Sequence, residues 1–177
     1  EELVRMHREE GLSFKNVVSF NLDEYLPMPK ESEQSYHYFM HHHLFDHIDI
    51  DPKNIHIPDG TLKAEEIENF CKEYERQIEA DGGIDIQVLG IGRTGHIGFN
   101  EPGSPLTSKT RMVYLDDLTI KDAAGDFGGM ENVPSRAITM GVGTIMKARK
   151  VILLAWGEKK ASIIKATVEG SVSDAVP

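Results

Sequence analysis

The sequence is poor in cysteine, and Cys71 is the single thiol among 177 residues. One cysteine cannot form a disulfide within the chain, which excludes a disulfide-stapled scaffold and favours a reducing compartment. Cys71 lies in a helical pattern without an acid–base neighbour, so we interpret it as a core side chain. We therefore expect a cytoplasmic protein.

Long apolar runs and a basic stripe are also missing. No run is long enough to cross a bilayer, and 29 acidic against 19 basic residues leave a net charge of −10. Nucleic acids and anionic membranes attract basic surfaces, so we expect neither as a partner. An acidic protein can still bind a phosphorylated metabolite through backbone N–H groups and a few local cations.

Strand-like and helical patterns alternate along the chain. Apolar, β-branched runs predict strands at 16–22, 84–89, 135–142 and 150–155. Apolar residues at helical spacing predict helices at 1–10, 35–45, 62–80 and 159–169. This alternation predicts the α/β class, with a doubly wound, mostly parallel sheet and helices on both faces, in a Rossmann-like three-layer sandwich.

The segment 103–134 interrupts this pattern, because it is polar and contains two adjacent glycines. It predicts a long, partly mobile loop. No linker or repeat is visible, so residues 1–177 predict a single domain. The chain begins inside a helical pattern without a Met and stops where a strand or loop should begin. We therefore expect it to be truncated at both ends.

The strongest chemical signal is the stretch DIQVLGIGRTGHIGFNEP at 85–102. An apolar strand, expected to be buried, ends abruptly in glycines, which predicts a ligand-facing loop. The three glycines are Gly90, Gly92 and Gly95. His96 follows them, with Glu101 five residues further on. An imidazole titrates near neutral pH, so His96 oriented by Glu101 predicts proton transfer at this loop.

The three glycines have the spacing G-x-G-x-x-G of a dinucleotide-binding loop. That site also needs an acidic residue at the end of the next strand, about 20 residues on. Asp116 and Asp117 lie near this spacing, but the segment before them is polar and contains Pro102 and Pro105. We therefore reject a dinucleotide site and expect the glycines to let a sugar or phosphate approach the backbone.

Two further strand ends carry polar groups. Asp23 and Glu24 follow the first predicted strand, and Lys160 follows the last. An isolated Asp is more often a cap or turn residue, and an isolated Lys is usually solvated. Because the carboxyl ends of parallel strands meet at one edge of a sheet, Asp23 becomes a candidate general base facing His96. Lys160 becomes a candidate phosphate contact.

Five histidines lie close together in the chain. They are His37, His41, His42, His43 and His47. Histidine pairs four apart on a helix can bind zinc, but neither a nearby cysteine nor the H-E-x-x-H pattern accompanies them. We interpret them as packed or solvated imidazoles and predict no metal site.

Five segments, in this order, resemble the glucosamine-6-phosphate deaminase family. They are FNLDEY (20–25), ESEQSYHYFM (31–40), GIGRTGHIGFNEP (90–102), TSKTR (107–111) and ITMGVGTI (138–145). The GHIxFNEP pattern also separates the chain from the related 6-phosphogluconolactonases. The resemblance implies a doubly wound α/β fold. It also implies an enzyme of amino-sugar catabolism that converts glucosamine 6-phosphate and water to fructose 6-phosphate and ammonia, with neither a metal nor an organic cofactor.

The resemblance also implies roles for individual residues. Asp23 would move a proton between C2 and C1, His96 would open the sugar ring, and Glu101 would be its carboxylate partner. We expect the substrate-binding residues to be Glu24, Gly90, Gly92, Thr94, Gly95 and Lys160. Arg111 matches an arginine near the family's effector site, and a homo-oligomer is a form that the family implies.

Three departures from the family pattern leave alternatives open. Thr94 stands where the family usually has Asp, so His96 loses one acidic neighbour. The segment 123–129 (AAGDFGG) lacks the arginine that the family uses to bind substrate. The family's glycine- and threonine-rich phosphate loop would precede residue 1. The alternatives are a sugar-phosphate-binding module with altered activity, and another phosphosugar isomerase or lactonase on the same fold.

Overall fold

The helices and strands follow the predicted alternation. The computed structural model describes residues 1–177. Its α-helices are α1 (Glu2–Glu10), α2 (Tyr36–His43), α3 (Ala64–Ala80), α4 (Asp117–Ala123), α5 (Val142–Ile145) and α6 (Ala161–Glu169). Its strands are β1 (Ser19–Phe20), β2 (Asp23–Leu26), β3 (Ile55–His56), β4 (Ile86–Leu89), β5 (Arg111–Tyr114), β6 (Arg136–Thr139) and β7 (Lys150–Leu153). No helix is both long and apolar enough to cross a membrane.

Three small sheets organise the strands. β1 pairs with β3 and β4 pairs with β7, both in parallel, while β6 lies between β2 and β5 in an antiparallel sheet. The α/β class with parallel strand pairs is confirmed. The antiparallel sheet is additional. Its β2–β6 pair joins distant segments of the chain, such as Asp23 with Thr139, and its β5–β6 pair joins nearer ones, such as Arg111 with Thr139.

The first strand differs from its prediction. The expected strand at 16–22 is reduced to β1, and Asp23 does not follow a strand but begins β2. Glu24, Tyr25 and Leu26 are buried there, because β2 pairs along its full length with β6. The expectation that Asp23 lies at the end of a strand is therefore wrong, because Asp23 is held at the start of one.

The predicted long loop at 103–134 is also wrong, since it contains β5 and α4. β5 was missed because it is short and its order depends on pairing with β6. α4 begins with a side-chain cap, in which the carboxylate of Asp116 accepts a hydrogen bond from the Leu118 N–H at 2.8 Å. Ile120 and Ala123 of α4 pack against the core cluster around Tyr25. This packing brings a helix to the edge of the cleft described below.

The strand before the glycine loop is buried on one face only. Gln87 and Leu89 are buried, whereas Ile86 and Val88 are 57% and 52% exposed. Leu89 packs in a core cluster with Tyr74 of α3. No segment between residues 1 and 177 covers the opposite face, so the expectation of a fully buried strand is corrected.

Cys71 lies in the core, as predicted. Its side chain is 5% exposed and packs with Leu26, Ile67 and Ile138. Burial, with a smaller effect of the charge on Glu75, raises the pKa of the Cys71 thiol to about 11. The thiol is therefore protonated at neutral pH and a poor nucleophile.

Candidate active site

A cleft of about 420 Å³ lies where the strand ends meet α4. Its lining includes Asp23 at the start of β2 and Lys160 just before α6. The loop after β4 contributes Gly90, Gly92 and His96. The structure therefore brings together five of the residues that the sequence singled out, from three separate regions of the chain.

Asp23 is a partly buried carboxylate at the cleft wall. Burial, reinforced by the charge on Glu24, raises the pKa of Asp23 to about 7. Gly98 makes room for it: with φ at +56°, an added Cβ would lie 2.9 Å from Thr139 Oγ1 and 3.1 Å from Asp23 Oδ2. A carboxylate with this pKa can both accept and return a proton near neutral pH.

His96, which lines the cleft, forms a hydrogen-bonded pair with Glu101. His96 Nδ1 lies 3.1 Å from Glu101 Oε2, and the two side chains are 20% and 17% exposed. If Nδ1 donates to Glu101, the second ring nitrogen, Nε2, carries the lone pair. Gly92 allows the ring to lie there, because a Cβ at this position would come within 2.1 Å of His96 Nε2.

Two threonine hydroxyls complete this pair. Thr94 Oγ1 donates to Glu101 Oε2 at 3.0 Å and lies 2.9 Å from His96 Nδ1, from which it can accept. Thr119 of α4 donates to the other oxygen of Glu101. Burial favours the neutral acid, but the hydrogen bonds from His96, Thr119 and Thr94 prevail and lower the pKa of Glu101. Glu101 is thus held as a carboxylate.

Glu24 does not line the cleft, and its role in substrate binding stays a prediction. Its side chain is 1% exposed and accepts hydrogen bonds from the backbone N–H groups of Tyr25, Tyr36 and His37, at 3.0, 3.1 and 3.0 Å. Burial raises the pKa of Glu24, and these three donors partly oppose the rise. Glu24 therefore joins β2 to the start of α2, and it acts on the cleft through the charge that it places beside Asp23.

Thr94 and Gly95 also lie outside the cleft lining. Thr94 contacts the cleft only through His96 and Glu101. Gly95 has φ at +93°, and an added Cβ would lie 3.0 Å from Val176 and 3.1 Å from Ile163 of α6. Both residues therefore shape the loop, and their contact with a ligand stays a prediction.

Arg111 lies on β5, away from the cleft. Its guanidinium donates to Asn100 Oδ1 at 2.9 Å and to Ser104 Oγ at 3.2 Å. Asn100 in turn donates to the carbonyls of Ile97 and Met140. Arg111 braces the segment that carries Glu101, while its relation to an effector stays a prediction.

Lys160 reaches the glycine loop. Its Nζ donates to the carbonyl oxygen of Ile91 at 2.7 Å, which fixes the ammonium group at the cleft wall. Sequence reasoning missed the neighbouring Arg93, which also lines the cleft and forms an ion pair with Asp122 of α4. The signal was present in the sequence, since Arg93 lies inside the glycine loop, but its partner lay in the segment that was interpreted as a loop.

The histidines of α2 are not arranged around a metal. No group of three or more His, Cys, Asp or Glu side chains between residues 1 and 177 could hold one. His41 Nδ1 lies 2.8 Å from Asp46, and His47 Nε2 lies 2.8 Å from the carbonyl of His42. These contacts agree with the interpretation as packed or solvated imidazoles.

Comparison with known proteins shows the family of the chain. The family model described as glucosamine-6-phosphate isomerases/6-phosphogluconolactonase matches residues 1–177. The chain belongs to this family. It is 49% identical over 175 residues to a glucosamine-6-phosphate deaminase of Thermoanaerobacter sp. strain X514, covering 99% of the chain and 68% of that relative. With a Shewanella woodyi protein of the same name it shares 54% over 175 residues, or 99% of the chain and 66% of the relative.

A longer relative matches the chain over a small part of its own length. The chain is 53% identical over 176 residues to a putative glucosamine-6-phosphate deaminase-like protein of Bacteroides thetaiotaomicron, covering 99% of the chain. It spans 26% of that protein, and about two thirds of the other two relatives.

The solved structures distinguish two branches of the family. A monomeric glucosamine-6-phosphate deaminase superposes with a TM-score of 0.95 at 40% identity, over 99% of this chain and 72% of the other. A 6-phosphogluconolactonase of Thermotoga maritima superposes with a TM-score of 0.67 at 20% identity, over 96% of this chain and 70% of the other. The second match shows a shared fold alone.

Proposed function

We propose that the cleft converts glucosamine 6-phosphate and water to fructose 6-phosphate and ammonia. The observation that carries the proposal is that Asp23 and His96 line one cleft although they are far apart in the sequence. An aldose-to-ketose conversion needs one group to open the ring and a second to move a carbon-bound proton. The similarity to relatives named glucosamine-6-phosphate deaminase supports the same substrate.

His96 acts first, on the closed ring. Nδ1 is engaged by Glu101 and Thr94, so Nε2 accepts the proton of the C1 hydroxyl and returns it to the ring oxygen. The C1–O5 bond breaks, and C1 becomes an aldehyde. The negative charge of Glu101 stabilises the imidazolium that forms between these two transfers.

Asp23 then acts on the open chain. Its carboxylate removes the proton from C2 while the C1 oxygen takes a proton from the substrate's ammonium group, which leaves an enolamine, and Asp23 then returns the C2 proton to C1. The imine now at C2 adds water and loses ammonia, which leaves the ketone of fructose 6-phosphate. A positioned general base contributes roughly 10² to 10⁴-fold to such a step.

The cations of the cleft hold the phosphate end of the substrate. Lys160 is fixed beside the glycine loop by the Ile91 carbonyl. We infer from the single, buried Cys71 that the protein works in a reducing compartment such as the cytoplasm, in amino-sugar catabolism. Whether it acts as a homo-oligomer is a separate prediction, tested by its mass in solution.

The decisive experiment measures ammonia release from glucosamine 6-phosphate by the full-length protein. The parent is expected to be active, and Asp23→Asn is expected to lose at least about 10²-fold in kcat. A parent that binds the sugar phosphate but releases no ammonia would instead support a binding module. Hydrolysis of 6-phosphogluconolactone in place of ammonia release would identify a lactonase.

A further inference from the structure

Arg93 and Asp122 form an ion pair at the edge of the cleft. Arg93 lies in the glycine loop and Asp122 on α4, and both line the cleft. The guanidinium makes two hydrogen bonds to the carboxylate, one from Nε to Oδ2 at 3.0 Å and a second from Nη2 to Oδ1. Arginine binds carboxylates and phosphates with this same two-pronged geometry.

The ion pair is open to solvent. The side chains of Arg93 and Asp122 are 42% and 47% exposed, and exposed ion pairs contribute little to stability because water and salt screen them. A phosphate group carries up to two negative charges and three acceptor oxygens. It can therefore replace the Asp122 carboxylate on Arg93 at small cost to the fold.

The positive charge of the cleft comes from two side chains. Among the lining residues, the lysines and arginines are Arg93 and Lys160. Lys160 Nζ is bound to the carbonyl of Ile91, two residues before Arg93. Asp23 and Asp126 also line the cleft and would repel a phosphate. An anionic group is therefore most stable beside Arg93 and Lys160.

We propose that Arg93 binds the phosphate of the substrate and that Asp122 is the internal carboxylate it releases when the phosphosugar enters. Arg93 thereby supplies the guanidinium that the segment 123–129 lacks. The proposal deepens the proposed function, and rests on it for the identity of the phosphosugar. The phosphate of the substrate would take the place of the Asp122 carboxylate on the guanidinium of Arg93.

A purely structural ion pair would behave differently. If Arg93–Asp122 only holds α4 against the glycine loop, removing either side chain should weaken binding in the same direction. If Asp122 competes with the substrate for Arg93, the two changes should act in opposite directions. The sign of the effect therefore separates the two roles.

The test measures dissociation constants by calorimetry for glucosamine 6-phosphate, glucosamine and inorganic phosphate, with the full-length protein carrying Asp23→Asn so that the sugar phosphate is not consumed. Arg93→Met should weaken binding of both phosphate-containing ligands by about 10- to 100-fold, as expected for the loss of a charge-assisted hydrogen-bonding partner. Asp122→Asn should tighten both severalfold. Neither change should alter the binding of glucosamine.

Lys121→Met is the matched control. It removes an exposed cation of α4, the helix of Asp122, outside the cleft lining, and it should leave all three dissociation constants unchanged.

Two outcomes would overturn the proposal. Asp122→Asn weakening phosphosugar binding as Arg93→Met does would show a structural pair. Binding of inorganic phosphate that is unaffected by Arg93→Met would place the phosphate elsewhere. The binding assay does not depend on turnover, so opposite effects in a protein that releases no ammonia would support the role of Arg93 and contradict only the deaminase reaction.

Discussion

The hydroxyl of Thr94 lies 2.9 Å from Nδ1 of His96 and donates a hydrogen bond to Glu101 at 3.0 Å. Thr94 thus joins the imidazole to its carboxylate, at the position where the resemblance leads one to expect Asp. A hydroxyl cannot add negative charge, but it can fix both partners. The departure that looked like a weakness in the sequence is therefore part of the hydrogen-bonded arrangement in the structure.

Replacing Thr94 by Val should slow ring opening, because the side chain keeps its shape and loses the hydroxyl. Loss of one positioning hydrogen bond is worth about 1 kcal/mol, so we expect kcat to fall by about 5- to 10-fold with little change in KM. Steady-state kinetics on glucosamine 6-phosphate measure this. Thr94→Ser restores the hydroxyl and should recover most of the rate. A serine variant as slow as the valine variant would mean that Thr94 acts only through packing.

The activity should depend on pH through Asp23. Burial and then the charge on Glu24 raise the pKa of Asp23 to about 7. The base must be ionised, so kcat/KM should rise with pH, reach half its maximum near pH 7, and fall about tenfold per unit below.

Glu24→Gln provides the matched control for this profile. It removes the charge beside Asp23 and keeps one oxygen to accept from Tyr25 and Tyr36 while losing the acceptor for His37, so the midpoint should move to lower pH. The substrate phosphate, which titrates near pH 6, affects both proteins equally. The difference between their two midpoints therefore reports the titration of Asp23. An unchanged midpoint would show that another group controls the profile.

Asp23→Asn should make the protein more stable at alkaline pH. The carboxyl ionises near 3.8 in the unfolded chain and about 7 in the folded protein. Between these values the folded state retains a proton that the unfolded state has lost, so stability falls as pH rises and stays reduced above pH 7. Asn cannot ionise, and its advantage should grow between pH 4 and pH 8 by up to about 4 kcal/mol, less what solvent contact of the carboxylate removes. Urea unfolding at the two pH values measures it, and an advantage that is the same at both would contradict the raised pKa.

Gly92→Ala should displace the imidazole of His96, since the added methyl would come within 2.1 Å of Nε2. We expect a fall in kcat of at least about 10²-fold, comparable to the loss of a general acid–base group, while the unfolding free energy changes modestly. Gly90→Ala is the comparison, because a Cβ there meets nothing within 4 Å, and its effect on kcat should be much smaller. Equal losses in the two variants would point to loop flexibility rather than to the position of His96.

Several expectations from the sequence were correct for a local reason. The bounds of α3 follow from apolar residues at helical spacing, and the glycine loop follows from the abrupt end of an apolar run. His96 and Glu101, which follow these glycines, are only five residues apart in the sequence. Periodicity, caps and short motifs are encoded within a few turns of chain, so they are legible without the fold.

Other features depended on contacts between distant segments. β5 has no strong pattern of its own, and becomes a strand because β6 supplies its hydrogen bonds. Glu24 looked like a substrate contact because it adjoins Asp23, but successive residues of a strand point to opposite faces. Asp23 faces the cleft, and Glu24 faces the start of α2.

By itself, the sequence determined the α/β class and most of the helices, and it singled out Asp23, His96 and Glu101 as candidate acid–base residues. Only the tertiary structure decided that Thr119 donates a hydrogen bond to Glu101 and that Arg93 forms an ion pair with Asp122. Both contacts cross from the glycine loop to α4, and neither is implied by the spacing of the residues along the chain. They exist because Ile120 and Ala123 bury their side chains against the core, which carries the polar face of α4 to the cleft.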